Sequence, residues 1–282
     1  MSVDISVVMA TRNRAELLPP TLGALHGIDS RLAWEVVYVD NGSTDGTRAV
    51  LERFARTASM PVSILHESRR GAGRARNLGW RHARGAIIAF TDDDCYPAPD
   101  WLDRMASCFG RSEVGYVGGR ILLHDPTDFP ITISERTDRF DLPPWRFVAP
   151  GLLQGANWAV RRTLLEQVGG FDPELGPGTP WVCEELELQA RLSAAGWTGT
   201  YDPGPLVYHH HRRKTRKEVD ALRKVYYRGC GAYRAKCAMD PAMRREWLRH
   251  WYWAIRSQPL SVTAHELQGA ATYVFRRRHA ES

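Results

Sequence analysis

Short apolar runs alternate with longer amphipathic segments along most of the chain. Four runs near the N-terminal end are rich in β-branched and aromatic residues, which is typical of buried strands. They span residues 5–9, 34–39, 62–66 and 87–91. The segments between them place apolar residues three and four positions apart, which indicates helices. Alternation of this kind predicts an α/β fold with a mainly parallel, Rossmann-like sheet flanked by helices.

The second half of the chain follows this pattern less closely. Residues 120–150 lose the periodicity and are rich in proline, which predicts an irregular insertion. From Thr215 onward the chain is helical, and two prolines divide this part into three segments. We therefore expect a domain at residues 1–211 and a helical appendage at residues 212–282. Further strands are predicted at 114–117, 155–160 and 206–208.

Charge divides the chain at the same place. Residues 1–211 hold 21 Lys and Arg against 26 Asp and Glu, whereas residues 212–282 hold 17 against 6. This basic tail is interleaved with Trp and Tyr. Such a composition predicts peripheral contact with a membrane or another anionic surface, while a homodimer face and core packing remain alternatives.

Several sequence features bear on the location of the protein. No stretch has the roughly 18 consecutive apolar residues of a membrane span, and the N-terminus lacks the basic flank and cleavage site of a signal peptide. The five cysteines are scattered and form no Cys-x-x-Cys pair, so reduced thiols are expected. The predicted location is the cytoplasm, at the inner face of the membrane if the tail binds lipid.

Three consecutive carboxylates, Asp92, Asp93 and Asp94, end the fourth apolar run. Ligands of open α/β sheets bind at the carboxyl ends of the strands. Adjacent like charges require a cation or hydrogen-bond donors, and oxygen ligands suit Mg²⁺ or Mn²⁺, which bridge to substrate phosphates. We therefore predict a metal-diphosphate site in which Asp92 and Asp94 bind the metal and Asp92 and Asp93 face the donor.

Asp40 ends the second predicted strand in the same way. It is placed to bind a ribose or a base, although Asp-Asn-Gly is also typical of a turn. The chain has no glycine-rich phosphate loop of a known type. Metal and arginines must then hold the phosphates. The candidates are Thr11, Arg12 and Arg14 in the first loop, and Arg74 and, most strongly, Arg76 at the start of a helix.

Two adjacent acids, Glu184 and Glu185, begin a predicted helix after a Pro- and Gly-rich loop. Carboxylates in a first helical turn are favourable for the helix dipole, which is one explanation of their position. A glutamate that is desolvated beside another carboxylate also has a raised pKa, which suits a general base acting on a hydroxyl group. The sequence does not decide which of the two would be the base.

Three histidines follow the last predicted strand. Alternation along a strand sends His209 and His211 to the same face, where an imidazole can complete a metal shell begun by Asp94. A surface cluster at the start of the basic tail is the alternative.

Taken in order, these motifs resemble family 2 glycosyltransferases of the GT-A fold. The matching segments lie at 11–14, 39–45, 75–79, 90–94, 155–157, 169–172, 184–191 and 208–209. The resemblance implies a nucleotide-diphosphate sugar donor, Mn²⁺ or Mg²⁺, and inversion by direct displacement. It also implies a hydroxyl acceptor on a saccharide, a lipid-linked group or a small molecule. Residues 1–118 would be the nucleotide-binding half, and residues 119–211 the acceptor and catalytic half.

The resemblance also implies individual roles. Asp40 would contact the base, Asp92 the ribose and Asp94 the metal, and His209 would lie near the diphosphate. Glu185 would be the catalytic base, although family members usually have Glu-Asp where this chain has Glu-Glu, so Glu184 remains an alternative. The residues expected to contact the acceptor are Asn157 and Trp181.

Two other functions are compatible with part of the pattern. A nucleotidyltransferase also pairs strand-end acids with Mg²⁺, but it does not need an acid pair at the start of a helix. A noncatalytic protein that binds an anionic surface or nucleic acid would use the basic tail alone. No known nucleic-acid-binding module accompanies the tail, so no nucleic-acid partner is expected.

Overall fold

The computed structural model describes residues 3–280. Within this range, nine strands form one sheet: β1 (Ile5–Thr11), β2 (Trp34–Asp40), β3 (Val62–His66), β4 (Ile87–Thr91), β5 (Cys95–Pro97), β6 (Val114–Leu123), β7 (Phe140–Leu142), β8 (Asn157–Arg161) and β9 (Thr198–His209). The helices are α1 (Leu18–His26), α2 (Thr47–Thr57), α3 (Ala72–His82), α4 (Trp101–Ser107), α5 (Arg162–Val168), α6 (Glu184–Ala194), α7 (Arg216–Met239), α8 (Arg244–Ser257) and α9 (Leu260–Ala280).

The predicted α/β class is confirmed, and the sheet itself is mixed. Its order is β3-β2-β1-β4-β8-β6-β9-β5, with β7 also paired to β9. Strands β3, β2, β1 and β4 are parallel, as the alternation of strands and helices predicted. Strand β8 is antiparallel to both β4 and β6. No crossover helix separates β6 from β8, and antiparallel neighbours can be joined by a loop alone.

The seven strands predicted from the apolar runs are all present. Strand β9 begins earlier than expected, and β6 continues to Leu123, inside the predicted insertion. The sequence pattern missed β5 and β7 because three residues are too few to show a period. Both pair with the long strand β9, which supplies their hydrogen bonds.

Apolar side chains pack on both faces of the sheet. Alternate residues of β1 point to opposite faces, so that Val7 and Met9 join the core beneath α1, α2 and α4, while Val8 joins the core beneath α3, α5 and α6. Burial on both faces explains why the parallel strands are continuous apolar runs. At Gly79 of α3, a Cβ atom would lie 2.5 Å from a methyl carbon of Val8. The glycine thus lets α3 lie close to the carboxyl half of the sheet.

The tail forms a three-helix unit within the described residues. Thr215 and Glu218 form a capping box that begins α7. Helices α7 and α9 approach closely, because a Cβ atom at Gly231 would lie only 1.8 Å from the Glu266 carbonyl oxygen. The two prolines lie between α7 and α8 and between α8 and α9, as predicted. In residues 3–280 no helix combines the length and the apolar character needed to cross a bilayer.

The tail packs directly on the first 211 residues. The Tyr233 hydroxyl donates to the Val148 carbonyl oxygen at 2.9 Å, and Lys236 forms 2.6 Å ion pairs with Asp172 and Glu187. Tyr233 and Lys236 are on α7 and Glu187 is on α6, whereas Val148 and Asp172 are in loops. The division of the chain at residue 211 and the two proposed halves of the first domain stay predictions.

Candidate active site

The carboxyl ends of β1 and β4 are joined by Asp93. The Thr11 hydroxyl donates to Asp93 Oδ2 at 2.6 Å, and Arg14 Nε lies 3.3 Å from Asp93 Oδ1. Burial raises the pKa of Asp93 to about 6, although the charge of Arg14 opposes the shift. Thr11 and Asp93 were predicted to bind the donor. In the structure each is buried and bonded to the other, and their contact with the donor stays a prediction.

Asp40 ends β2 and is also buried. Its Oδ1 accepts a hydrogen bond from the Ser43 backbone N–H at 2.9 Å, so the turn predicted from Asp-Asn-Gly is present. The next residue, Asn41, was missed by the sequence analysis. Its side chain donates to the Arg69 carbonyl oxygen and accepts from the Gly71 N–H, at 2.8 and 2.9 Å. Asn41 therefore holds the loop that begins α3 against the end of β2.

Arg76 links the two halves of the cleft. Its guanidinium donates to Asp92 Oδ1 at 2.9 Å and to Glu184 Oε1. Burial by itself lowers the pKa of Arg76, but the charges of Glu184 and Asp92 outweigh burial and raise it. Arg76 was the strongest candidate for binding phosphate. Each terminal nitrogen is bonded to a protein carboxylate in the structure, and phosphate binding by Arg76 stays a prediction.

Glu184 and Glu185 differ in environment although they are adjacent. Cys183 precedes them in a left-handed conformation, with φ of 82°, and begins α6. Glu184 is buried against Arg76. Glu185 forms no ion pair with any residue in the 3–280 range, and its Cδ would lie 3.4 Å from a Cβ atom at Gly155. Burial, followed by the charge of Glu184, raises the pKa of Glu185 to about 8. Glu185 is thus the member of the pair with the properties of a general base.

Asp94 and His209 form the candidate metal site. Asp94 Oδ1 lies 3.3 Å from His209 Nε2, and His209 Nδ1 lies 3.0 Å from the Thr132 carbonyl oxygen. A carbonyl partner requires a proton on Nδ1, so Nε2 faces Asp94, where it donates to the carboxylate when the ring is protonated and can bind a cation through its lone pair when it is not. Burial lowers the pKa of His209, but the hydrogen bond and charge of Asp94 outweigh this effect and raise it. These residues fit a divalent cation.

Cys95 lies beside this pair, and one atom from each of Asp94, Cys95 and His209 falls within 4.8 Å of the others. Burial raises the pKa of the Cys95 thiol well above its ordinary value. A protonated, soft sulfur ligand does not suit Mg²⁺ or Mn²⁺. We therefore assign the candidate site to the carboxylate and the imidazole, which leaves positions for water and phosphate oxygens.

His211 does not join the metal site, contrary to the prediction. Its Nδ1 accepts from the Arg213 backbone N–H and its Nε2 donates to the Phe129 carbonyl oxygen, each at 3.0 Å. Nε2 therefore holds the loop before β7, and Nδ1 holds the backbone that follows β9. Asp92 was also predicted as a metal ligand, and the Arg76 hydrogen bond occupies its Oδ1.

The two residues predicted to contact the acceptor lie in the core. Asn157 is fully buried, and its side chain bonds to Trp101 Nε1 and to the carbonyl oxygens of Arg120 and Pro205. Trp181 is buried and packs edge to face on Tyr273 of α9. Neither side chain is open to a ligand in the structure, and their contact with the acceptor stays a prediction.

Two arginines remain at the open side of the acidic strand end. Arg14 is about one third exposed, at 36%, and its Nη2 lies 4.0 Å from Asp94 Oδ2. Arg213 was missed by the sequence analysis. Burial raises the pKa of Asp94, but the hydrogen bond and charge of His209 outweigh it, and the charges of Arg14 and Arg213 lower the pKa further. The basic run that follows the three histidines was the available signal for Arg213. Arg12 instead bonds weakly to the Gly42 carbonyl oxygen, at 3.4 Å.

The tail also contributes to the cleft. Tyr226 of α7 is partly exposed, and burial together with the charge of Glu185 raises the pKa of its hydroxyl. Three residues further along α7, Gly229 packs against Val182 and Cys183, immediately before the two acids. The sequence analysis assigned the tail no role in the site, since only the packing of α7 on α6 brings it there.

The sheet and its acidic cleft define a GT-A type domain. A family model for "Glycosyl transferase family 2" matches residues 6–169, which is more than half of the chain. The chain therefore belongs to glycosyl transferase family 2.

Curated relatives agree with this assignment. Glycosyltransferase AglE of Haloferax volcanii is 30% identical over 200 residues, which are 70% of this chain and 64% of that protein. The pre-mycofactocin glycosyltransferase of Mycobacterium tuberculosis is 28% identical over 236 residues, which are 81% of this chain and 47% of the relative. The chain thus spans about half to two thirds of the length of these relatives.

Solved structures confirm the GT-A fold. Mannosyltransferase PcManGT from Pyrobaculum calidifontis, in complex with GDP-Man and Mn²⁺, matches with a TM-score of 0.68 and 23% identity, over 99% of this chain and 83% of that one. S. aureus TarS in complex with UDP-GlcNAc matches with a TM-score of 0.68 and 17% identity, over 96% and 80%. Similarity at these identities extends to the fold.

Proposed function

We propose that this chain transfers a sugar from a nucleotide-diphosphate donor to a hydroxyl acceptor, with inversion and with the help of Mn²⁺ or Mg²⁺. The main support is the Arg76 bridge, which joins Asp92 on the donor side to Glu184 beside the candidate base. Membership of the family supports sugar transfer. The solved relatives that bind GDP-Man with Mn²⁺ and UDP-GlcNAc support the donor class and the metal.

Asp94 and His209 would hold the cation, whose chemistry is to neutralise charge on the diphosphate as it leaves. Arg14 and Arg213 lie at the same edge and add positive charge where phosphate oxygens would approach. Asp40 and Asp92 would contact the base and the ribose, as expected from the resemblance. The free Oδ2 of Asp92, on a side chain that is 36% exposed, is available for that contact.

Glu185 would accept the proton of the acceptor hydroxyl. The acceptor oxygen then forms a bond to the anomeric carbon from the face opposite the departing diphosphate, and this single displacement inverts the configuration. The buried Glu184 pairs with Arg76, and after burial its charge helps to raise the pKa of Glu185. Tyr226 lies on this side of the cleft and is our candidate for contact with the acceptor.

The experiment combines purified protein with a panel of nucleotide sugars, a panel of hydroxyl acceptors, and Mn²⁺, Mg²⁺ or a chelator. We expect release of nucleoside diphosphate that depends on the cation and a product of inverted anomeric configuration by NMR. Asp94→Asn and Glu185→Gln should each abolish most of the transfer. Glu166→Gln, at an exposed glutamate of α5, is the matched control and should retain it.

Two results would contradict the proposal. Exchange of pyrophosphate between a nucleoside triphosphate and a sugar phosphate would indicate a nucleotidyltransferase. Transfer that survives in Asp94→Asn and in the presence of chelator would exclude the role given to the metal.

A further inference from the structure

The tail exposes apolar side chains on the side that faces away from the sheet. Six of them are between 37% and 85% exposed. They are Leu248, Tyr252, Ile255, Leu260, Leu267 and Phe275, and we call them the tail surface. An apolar groove of about 670 Å³ between α7, α8 and α9 adjoins them and is lined in part by Leu248, Leu267 and Phe275. The tail surface is thus continuous across two helices.

Helix α8 turns an apolar stripe toward solvent. At 100° per residue, Leu248, Tyr252 and Ile255 fall on one stripe. Arg245, Arg249 and Arg256 lie beside this stripe, and all three are exposed. The helix therefore shows solvent an apolar stripe with a basic border.

The inner side of α8 is firmly attached. Trp247 is buried, and its Nε1 donates to the Tyr233 hydroxyl at 2.7 Å. Trp251 Nε1 donates to Glu266 of α9 at 3.2 Å. These bonds fix the rotation of the helix, so the apolar stripe cannot turn inward to be covered by the rest of the chain.

The chemistry of the border identifies the partner. Helices that lie on bilayers combine Leu, Trp and Tyr with arginines at the headgroup level. Trp253, which is 62% exposed, extends the aromatic part of this surface. The segment from residue 212 to the C-terminus holds 17 Lys and Arg against 6 Asp and Glu, which complements an anionic surface.

We propose that the tail surface docks this protein on anionic lipid bilayers, with α8 lying in the plane of the interface. The apolar stripe enters the boundary between headgroups and acyl chains, and the arginines pair with lipid phosphates. Docking places the transferase beside lipid-linked acceptors, and this consequence alone rests on the proposed function.

The test is flotation of the full chain with vesicles of phosphatidylcholine, with and without phosphatidylglycerol, at low and high salt. We expect flotation with the anionic vesicles, a decrease with salt, and a blue shift of tryptophan fluorescence on binding. The double variant Leu248→Glu/Tyr252→Glu should lose flotation at least about tenfold, because it places carboxylates in the stripe. Arg245→Glu/Arg256→Glu should lose it as well.

Matched control variants make the same kinds of substitution elsewhere on the surface. Trp145→Glu replaces an exposed aromatic residue, and Arg48→Glu an exposed arginine of α2. Both should float as the wild type does. Circular dichroism and thermal unfolding establish that each variant is folded, and donor hydrolysis without vesicles should be unchanged in Leu248→Glu/Tyr252→Glu. Failure to dock is therefore distinguishable from failure of the proposed activity.

Three outcomes would overturn the inference. The first is no flotation, or equal flotation with neutral and anionic vesicles. The second is equal loss in the variants and in their controls. The third is a dimer of the wild type in solution that becomes monomeric in Leu248→Glu/Tyr252→Glu, because the tail surface would then be an interface between two copies of the chain.

Discussion

The Arg76 guanidinium donates to the Glu184 carboxylate across 108 residues of sequence. This contact joins the N-terminal half of α3 to the first residue of α6 and is buried on both sides. It determines which glutamate of the pair is neutralised by a cation and which is left with a raised pKa. Each prediction below tests part of this arrangement.

Removing the Arg76 guanidinium should destabilise the fold. Arg76→Met leaves Glu184 buried without its partner, and breaking a buried pair in this way costs about 3–5 kcal/mol. Urea unfolding measures the loss. Arg74→Met is the control, because the Arg74 pair with the exposed Glu174 should contribute at most about 1 kcal/mol. Equal losses in the two variants would contradict the central position of Arg76.

Replacing the candidate base should reduce transfer. Glu185→Gln removes the proton acceptor without changing the size of the side chain, and loss of a general base lowers the rate by about 10²- to 10⁴-fold. Steady-state kinetics with donor and acceptor in excess measure it. Glu184→Gln should retain more activity, since it removes a neighbour of the base. The reverse order would assign the base to Glu184.

Glu185→Gln should also stabilise the protein at neutral and higher pH. In the folded chain the raised pKa of Glu185 holds its proton to about pH 8, whereas the unfolded chain releases it near the ordinary value of 4.5. The folded state then binds more protons between these values, so its stability falls as the pH rises. Unfolding curves of wild type and Glu185→Gln, recorded without metal, should diverge from pH 4.5 upward and run in parallel above about pH 8.

The pH dependence of transfer should identify the origin of the raised pKa. Since only ionised Glu185 accepts a proton, kcat/KM should rise with pH through the pKa of this group. In Glu184→Gln a nearby negative charge is absent, so the rising limb should move to lower pH. Glu166→Gln should leave the limb in place. A limb that does not respond to Glu184→Gln would show that another group controls the profile.

Metal binding should separate two histidines that the sequence could not distinguish. His209→Ala should strongly weaken Mn²⁺ binding, measured by electron paramagnetic resonance of the free ion, because it removes a candidate ligand. His211→Ala should preserve binding and lower the melting temperature, because one nitrogen of His211 holds the loop at Phe129 and the other holds the Arg213 backbone. Equal loss of Mn²⁺ binding in both variants would show that His211 is also a metal ligand.

A chain cut after residue 211 should fold poorly. Helix α7 covers Leu186 and Ala190 of α6, and it contributes Cys230 and Tyr233 to the same apolar cluster. Truncation would expose that cluster and remove the Lys236 pair with Glu187. We expect aggregation or a lower melting temperature, whereas point variants of the tail surface should stay folded. A truncated chain as stable as the full one would show that the tail is an independent unit.

Local pattern was sufficient for much of the fold. The apolar runs at β1 to β4 and the two prolines of the tail identified strands and helix ends, because burial on both sheet faces and the missing N–H of proline act within a few residues. The sequence pattern did not predict three-residue strands such as β5 and β7, since their pairing with β9 depends on contacts distant in sequence.

Residue type and position at strand ends also identified Asp40, Asp92, Asp94 and the acid pair at α6 as candidates. The amino-acid sequence by itself determined the longer strands and helices and which chemical groups stand at their ends. Only the tertiary structure decided the partners of those groups. It placed Arg76 on carboxylates, His211 on backbone atoms and Asn157 in the core. The physical reason is that hydrogen bonds and pKa values depend on neighbours brought together by packing, which no local spacing specifies.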